Sequence, residues 1–250
     1  NFQFYLFTEE LKNTVVTAAL LHREEQIVVS KNFQIERDGS WNHYEGTFTV
    51  DTTANDLRFA LLLPHKGKVY IDFVSMFPEN TFCGHKNGLR EDVAGMLRDL
   101  RPDFVRWPGG CIVEGLTMDN RIKWKETIGD IVKRPGEYNL WGYRSTYGFG
   151  YHEFLQFCED IDADGMFVCN AGMSCLFRNG DYWEEENRID NLIQDALDAI
   201  EYALGDTTTV YGKRRAENGH AAPFPLKYVE VGNENVGLRY VKNYNRFYKA

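Results

Sequence analysis

The sequence predicts a mixed α/β chain in two parts: a β-sandwich, then strands and helices in the alternating order of a parallel sheet. Three observations predict it. Residues 4–74 fall into short apolar or alternating runs, and after residue 88 the hydrophobic period lengthens to that of helices. Three later strands each run into a Gly- or Asn-rich end.

The early runs are 4–7 (FYLF), 14–21 (TVVTAALL), 26–30 (QIVVS), 45–50 (EGTFTV) and 57–63 (LRFALLL), with turns such as ERDGSW and PHKGK between them. In the sixth, Val69, Ile71 and Phe73 alternate with Tyr70, Asp72 and Val74. Alternation sends one set of side chains to each face of a strand, and several such strands at close spacing stack as two sheets. The first run begins almost at Asn1, so the sandwich is expected to be incomplete. It is assigned to residues 1–77, and a second domain to 78–250.

In that second part, Leu89, Val93, Met96, Leu97 and Leu100 share one face of a helix that Pro102 closes. Phe104-Val105-Arg106-Trp107 reads as a buried strand. Residues 151–161 form another helical stripe, and a strand comes next over 166–169. Ile189, Leu192, Ile193, Ala196, Leu197, Ile200 and Leu204 trace the longest helix, with Gly205 expected as its left-handed terminator. A strand over 227–231 and a further helix complete the chain. This is the βαβ order of a parallel sheet, whose sites are built at the C-terminal strand ends. Those ends read Pro-Gly-Gly-Cys, Asn-Ala-Gly and Gly-Asn-Glu-Asn.

Composition excludes several classes. The 250 residues are 43% hydrophobic and 26% charged, ordinary for a soluble globular protein, and no apolar run is long enough for a bilayer. A formal net charge of −9 argues against nucleic acid and suits a neutral partner such as a carbohydrate. Five cysteines, an odd number with no CxxC pair, predict no disulfide framework. His85, His152 and His220 lack metal-ligand spacing, so neither metal nor cofactor is expected. The glycines of 142–150 do not match a phosphate-binding loop. Residues 211–220 (YGKRRAENGH) read as a surface loop, and Glu184-Glu185-Glu186 as a solvated helix start.

Glu234 leads the candidates for chemistry. It comes directly after a strand, so its carboxyl projects from the rim where a glycosidase needs an acid held protonated beside the leaving oxygen. Asn233 next to it can hydrogen-bond a sugar hydroxyl. The structural alternative is a Glu at the start of the next helix, favoured by the helix dipole. In Arg106-Trp107-Pro108-Gly109-Gly110-Cys111, two glycines permit close approach of a ligand, Arg106 can orient a carboxylate, and Cys111 faces the pocket mouth. The alternative is a tight turn with a core Trp and an inert thiol.

Together NGLREDVAGMLRDLRPDFVRWPGGCIVEG, RIKWKETIGD, WGYRSTYGFGYHEFLQFCED and DALDAIEYALGDTTTVYGKRRAENGHAAPFPLKYVEVGNEN resemble glycoside hydrolase family 51, the α-L-arabinofuranosidases, from about residue 69 onward. The likeness is strongest to a branch that carries a carbohydrate-binding-like sandwich ahead of this region. The resemblance implies a partial TIM (β/α)8 barrel, strands two to four, behind that sandwich. It implies a retaining exo-enzyme that removes terminal α-L-arabinofuranosyl groups from plant polysaccharides such as arabinan or arabinoxylan. Glu234 takes the place of the acid/base at the end of barrel strand four, and Asn233 that of a sugar-contacting amide. Arg106, Cys111, Trp141 and Asn170 are the further substrate-binding candidates, Cys111 standing where many members carry Asn. The family's nucleophile comes from strand seven, expected beyond residue 250, so the chain is expected to be a segment of a larger enzyme. Secretion or a periplasmic location, and homo-oligomers in some members, are further implications. Two other readings remain open: a non-catalytic carbohydrate-binding protein, and a barrel glycosidase for another pentoside or hexoside.

Overall fold

Alternation in the first part of the chain builds two antiparallel sheets. The computed structural model describes residues 1–9, 11, 14–23, 25–35, 39–51 and 53–250. Residues 36–38 of the expected turn ERDGSW lie outside them. The chain divides into two compact units, Asn1–Gly95 and Met96–Ala250.

The first unit holds β1 (Phe2–Glu9), β2 (Val15–Leu21), β3 (Ile27–Gln34), β4 (Trp41–Gly46), β5 (Arg58–Leu62) and β6 (Lys68–Met76). β1 runs between β4 and β6, and β2 between β3 and β5, every pairing antiparallel. Phe2, Phe4 and Leu6, every second residue of β1, turn inward and meet Val16 and Ala18 of β2 with Ile35. Phe2 stacks on Phe48 at 4.2 Å and Phe4 on Tyr44 at 5.3 Å. The fourth strand is Trp41–Gly46 rather than 45–50, because it is WNHYEG that pairs residue by residue with β1.

α1 (Glu91–Asp99) crosses the division between the units. Its apolar stripe is not a core face: Ala94 is its buried residue, while Val93, Met96 and Leu97 are exposed, as is Leu100 beyond its end.

The second unit continues with β7 (Phe104–Trp107), α2 (Gly110–Glu114), a hairpin of β8 (Glu137–Tyr138) and β9 (Arg144–Ser145), and α3 (Tyr151–Asp160). Next come β10 (Asp164–Cys169), α4 (Glu186–Leu204), α5 (Val210–Glu217), β11 (Leu226–Val231) and α6 (Gly237–Lys249). β7, β10 and β11 form a parallel sheet with β10 at its centre. Trp107, Phe167 and Cys169 pack with Tyr151, Phe154 and Leu155 of α3 and with Ala199, Tyr202 and Ala203 of α4. Each buried aromatic of this cluster contributes roughly 2–3 kcal/mol by leaving water. The shared core clamps the sheet, and with it the positions of its three strand ends.

Two expectations are corrected here. Gly205 caps α4 at φ −63°, outside the left-handed region. Glycine suits it for another reason: a Cβ would stand 2.5 Å from Glu201 O. Residues 211–220 are not a surface loop. They lie largely in α5, where the fully buried Arg215 donates to the carbonyls of Tyr202, Ala203, Gly205, His220 and Ala221. A basic run looks solvated in a sequence, but a guanidinium with five N–H donors can be buried where enough carbonyls converge on it.

Candidate active site

β7 and β11 deliver the candidate residues, and glycines shape the turn after each of these strands. After Trp107 the chain passes through a cis peptide to Pro108, then through Gly109 at φ 66° and Gly110 at φ 56°. A Cβ on Gly109 would sit 2.7 Å from Arg106 Nη1, so the turn folds over the guanidinium only because it is bare. After β11, Gly232 takes φ 78°, and a Cβ there would meet Asn235 Oδ1 at 2.4 Å. Glu234 is itself left-handed, at φ 46°. That conformation is costly for a non-glycine residue, which is found in it where the surroundings enforce it.

The side chains then converge. Arg106 donates through Nε and Nη2 to the two carboxylate oxygens of Glu230, each at 2.6 Å, and through Nη2 to Asn233 Oδ1 at 2.9 Å. Asn233 Nδ2 donates to Glu114 Oε2 at 3.3 Å, and Asn235 Nδ2 to Glu114 Oε1 at 2.8 Å. Thus the amide of Asn233, 8% exposed, is held from both sides, by a cation and by a carboxylate. Cys175 Sγ lies 3.4 Å from Cys111 Sγ, and Cys111 Sγ 4.0 Å from Glu234 Oε2.

Burial sets the electrostatics. Glu114 is 1% exposed, and desolvation raises its pKa, opposed by the hydrogen bonds from Asn233, Cys175 and Asn235 and reinforced by the charge of Glu234. Burial, followed by the contact with Cys175, pushes the Cys111 thiol up to about 11. A thiol so raised is no nucleophile at neutral pH. Glu230 raises the pKa of the Arg106 guanidinium. Glu234 is exposed, so the described residues leave its carboxyl open to solvent rather than enclosing it.

This geometry places an open carboxyl beside an anchored amide at the end of a parallel strand. A family model described as the alpha-L-arabinofuranosidase 1 domain matches residues 96–250, the whole second unit. The structure of an arabinose-bound α-L-arabinofuranosidase named MgGH51 superposes with a TM-score of 0.85 at 30% identity, covering 93% of this chain and 38% of that one. The chain belongs to the α-L-arabinofuranosidases of glycoside hydrolase family 51.

Its similarity to curated family members is of the same order. Alpha-L-arabinofuranosidase 2 of Arabidopsis thaliana is 40% identical over 213 residues, 84% of this chain and 31% of the relative. An extracellular exo-α-L-arabinofuranosidase of Streptomyces chartreusis is 39% identical over 212 residues, 80% of this chain and 25% of the relative. The chain therefore spans about a third or less of the length of these relatives.

Within this family member the structure gathers Arg106, Cys111, Asn233 and Glu234 into one cluster. Asn170 stands apart from their polar contacts. It is buried at the end of β10, donating to the carbonyls of Val113 and Met173 and accepting from the N–H groups of Gly172 and Met173. Those bonds hold the chain after β10 in shape. Trp141, 49% exposed, lies between β8 and β9, its backbone N–H bonded to Asn139 Oδ1. Among the described residues no hydrogen bond or ring contact joins it to the cluster.

Four members of the cluster escaped the sequence. Glu114 sits one helical turn after Cys111, so an i, i+3 spacing on α2 carried the signal. Asn235 closes the Gly-Asn-Glu-Asn quartet, and Glu230 is an acid inside an otherwise apolar strand end. Cys175 lies sixty-four positions from Cys111 and gave no signal; only the fold brings the thiols together.

Proposed function

We propose that this chain contributes the acid/base side of the active site of a retaining exo-α-L-arabinofuranosidase, acting on arabinofuranosyl groups of plant polysaccharides such as arabinan or arabinoxylan. The observation that carries the reading is the anchored Asn233 beside the open Glu234. Arg106 and Glu114 hold the amide in place, and the next carboxyl projects where a glycosidic oxygen can approach. In this reading Glu234 donates its proton to the leaving oxygen as the C1–O bond breaks. A second carboxylate attacks C1 from the opposite face, and Glu234 then takes a proton from the water that releases the sugar. The second carboxylate belongs to the family length that this chain does not span. Asn233 holds a sugar hydroxyl and strengthens that bond as charge develops.

The same reading gives the parallel strands β7, β10 and β11 the places of strands two to four of a (β/α)8 barrel. It gives residues 1–77 the place of a carbohydrate-binding-like sandwich and 78–250 that of the barrel. The extracellular name of the Streptomyces relative supports a secreted enzyme. No helix of the described residues is long and apolar enough to cross a membrane.

The test is leaving-group dependence in the whole enzyme. A Glu234→Gln variant is expected to lose most kcat/KM on substrates with poor leaving groups and little kcat/KM on activated aryl α-L-arabinofuranosides, whose first step needs no protonation. Its kcat falls on both, because the second step lacks its base. Equal losses of kcat/KM on both would remove Glu234 from the acid's role.

A further inference from the structure

Beside Glu234 the fold assembles a donor set of which the hydrolytic reading uses only Glu114, as the anchor of Asn233. Cys111 and Cys175 approach to 3.4 Å between sulfurs, and with a Glu114 carboxylate oxygen their ligand atoms all lie within 4.8 Å of one another. Two of the three residues are buried, and no disulfide joins the thiols. The carboxylate is also oriented as a ligand needs to be. Each oxygen accepts one amide, from Asn233 or Asn235, which fixes the group and leaves further lone pairs free.

We infer that Cys111, Cys175 and Glu114 form a binding site for a single thiophilic divalent cation, of which Zn2+ is the natural representative and Cd2+ a close probe. Two sulfurs bound to one tetrahedral zinc at about 2.3 Å stand about 3.8 Å apart, so the thiols need to open by only about 0.4 Å. Coordination sends the two thiol protons to solvent and replaces bound water on the ion; no oxidant or reductant is involved. Hard cations such as Mg2+ prefer all-oxygen sites and are excluded by the sulfurs. Glu234 lies outside this set, but its Oε2 is 4.0 Å from Cys111 Sγ, so an ion seated here can draw that carboxylate in as a further ligand. The ion is therefore an inhibitor that ties up the acid. The site stands without any enzymatic reading; only its effect on turnover rests on the role given to Glu234.

Titration of the reduced chain with Cd2+ tests the site without using activity. The expected result is an ultraviolet thiolate-to-cadmium band that saturates at one ion per chain. Cys175→Ser and Cys111→Ser should each weaken binding roughly a hundredfold. Cys83→Ser, which alters the exposed thiol, should leave the band unchanged, and Mg2+ should not compete. Circular dichroism of each variant checks that it is folded. The proposal is overturned if the folded wild-type chain gives no band, or if folded Cys175→Ser saturates at the same Cd2+ concentration as wild type. In the whole enzyme Zn2+ should inhibit wild type and spare Cys175→Ser. Stoichiometric binding with no inhibition would keep the site and count against Glu234 as the acid.

Discussion

Arg106 and Glu230 stand on the two outer strands of the parallel sheet and join across its central strand through two hydrogen bonds of 2.6 Å. The guanidinium has one more donor direction in use, towards Asn233 at 2.9 Å, so the pair fixes where the strand-end amide lies. An Arg fork matches a carboxylate in a way that the single ammonium of Lys cannot. With both side chains about a third exposed, Arg106→Lys is expected to cost only about 1 kcal/mol of stability. Activity in the whole enzyme should fall by far more than that loss explains, because Asn233 is released. Thermal melting and kcat/KM on one preparation separate the two.

Gly109 protects the same guanidinium from the backbone side. Gly109→Ala puts a methyl 2.7 Å from Arg106 Nη1 in a left-handed conformation. A loss of about 1–2 kcal/mol from the conformation alone is expected, visible in urea unfolding, with a further loss from displacing the guanidinium.

Asn170→Ala is expected to act on stability. All four hydrogen bonds of the side chain go to backbone groups, so its removal leaves buried carbonyls and N–H groups unpaired at a cost of roughly 2–4 kcal/mol. If Asn170 instead contacts substrate directly, the variant will melt like wild type and show a raised KM.

Glu114 gives stability a pH dependence. Its folded pKa lies above its ordinary value of 4.5, so the folded state binds the proton more tightly than the unfolded state. Its contribution is full below 4.5 and is lost as pH rises through the folded pKa. Glu114→Gln removes this dependence. Relative to wild type, the variant should gain stability as pH rises from 4.5 towards neutrality, and chemical denaturation across that range reads the difference.

Much of the fold was legible because long periodic segments leave little choice. The stripe from Ile189 to Leu204 became α4, and the strands before Pro108, Asn170 and Gly232 formed. The first is not the buried strand expected: Phe104 and Arg106 are exposed and only Trp107 is buried. α1 misled, because its apolar stripe is exposed and the period of a helix does not say what covers it. Arg215 misled in the opposite sense, since charge alone hides how many carbonyls await it. In the site, Asn233 and Glu234 were visible as a strand-end pair. Their supports were not: Glu230, Glu114 and Cys175 acquire meaning only from the register of three parallel strands and the helix after the first.

The most direct measurement is azide rescue of Glu234→Ala in the whole enzyme. On an unactivated arabinofuranoside the variant should lose about 10²–10⁴ in rate. On an activated aryl α-L-arabinofuranoside, added azide should restore turnover and yield the α-configured glycosyl azide, since azide replaces water in the second displacement. Wild-type rates in the variant, or a β-configured azide from a single displacement, would contradict the assignment of Glu234 as the acid/base.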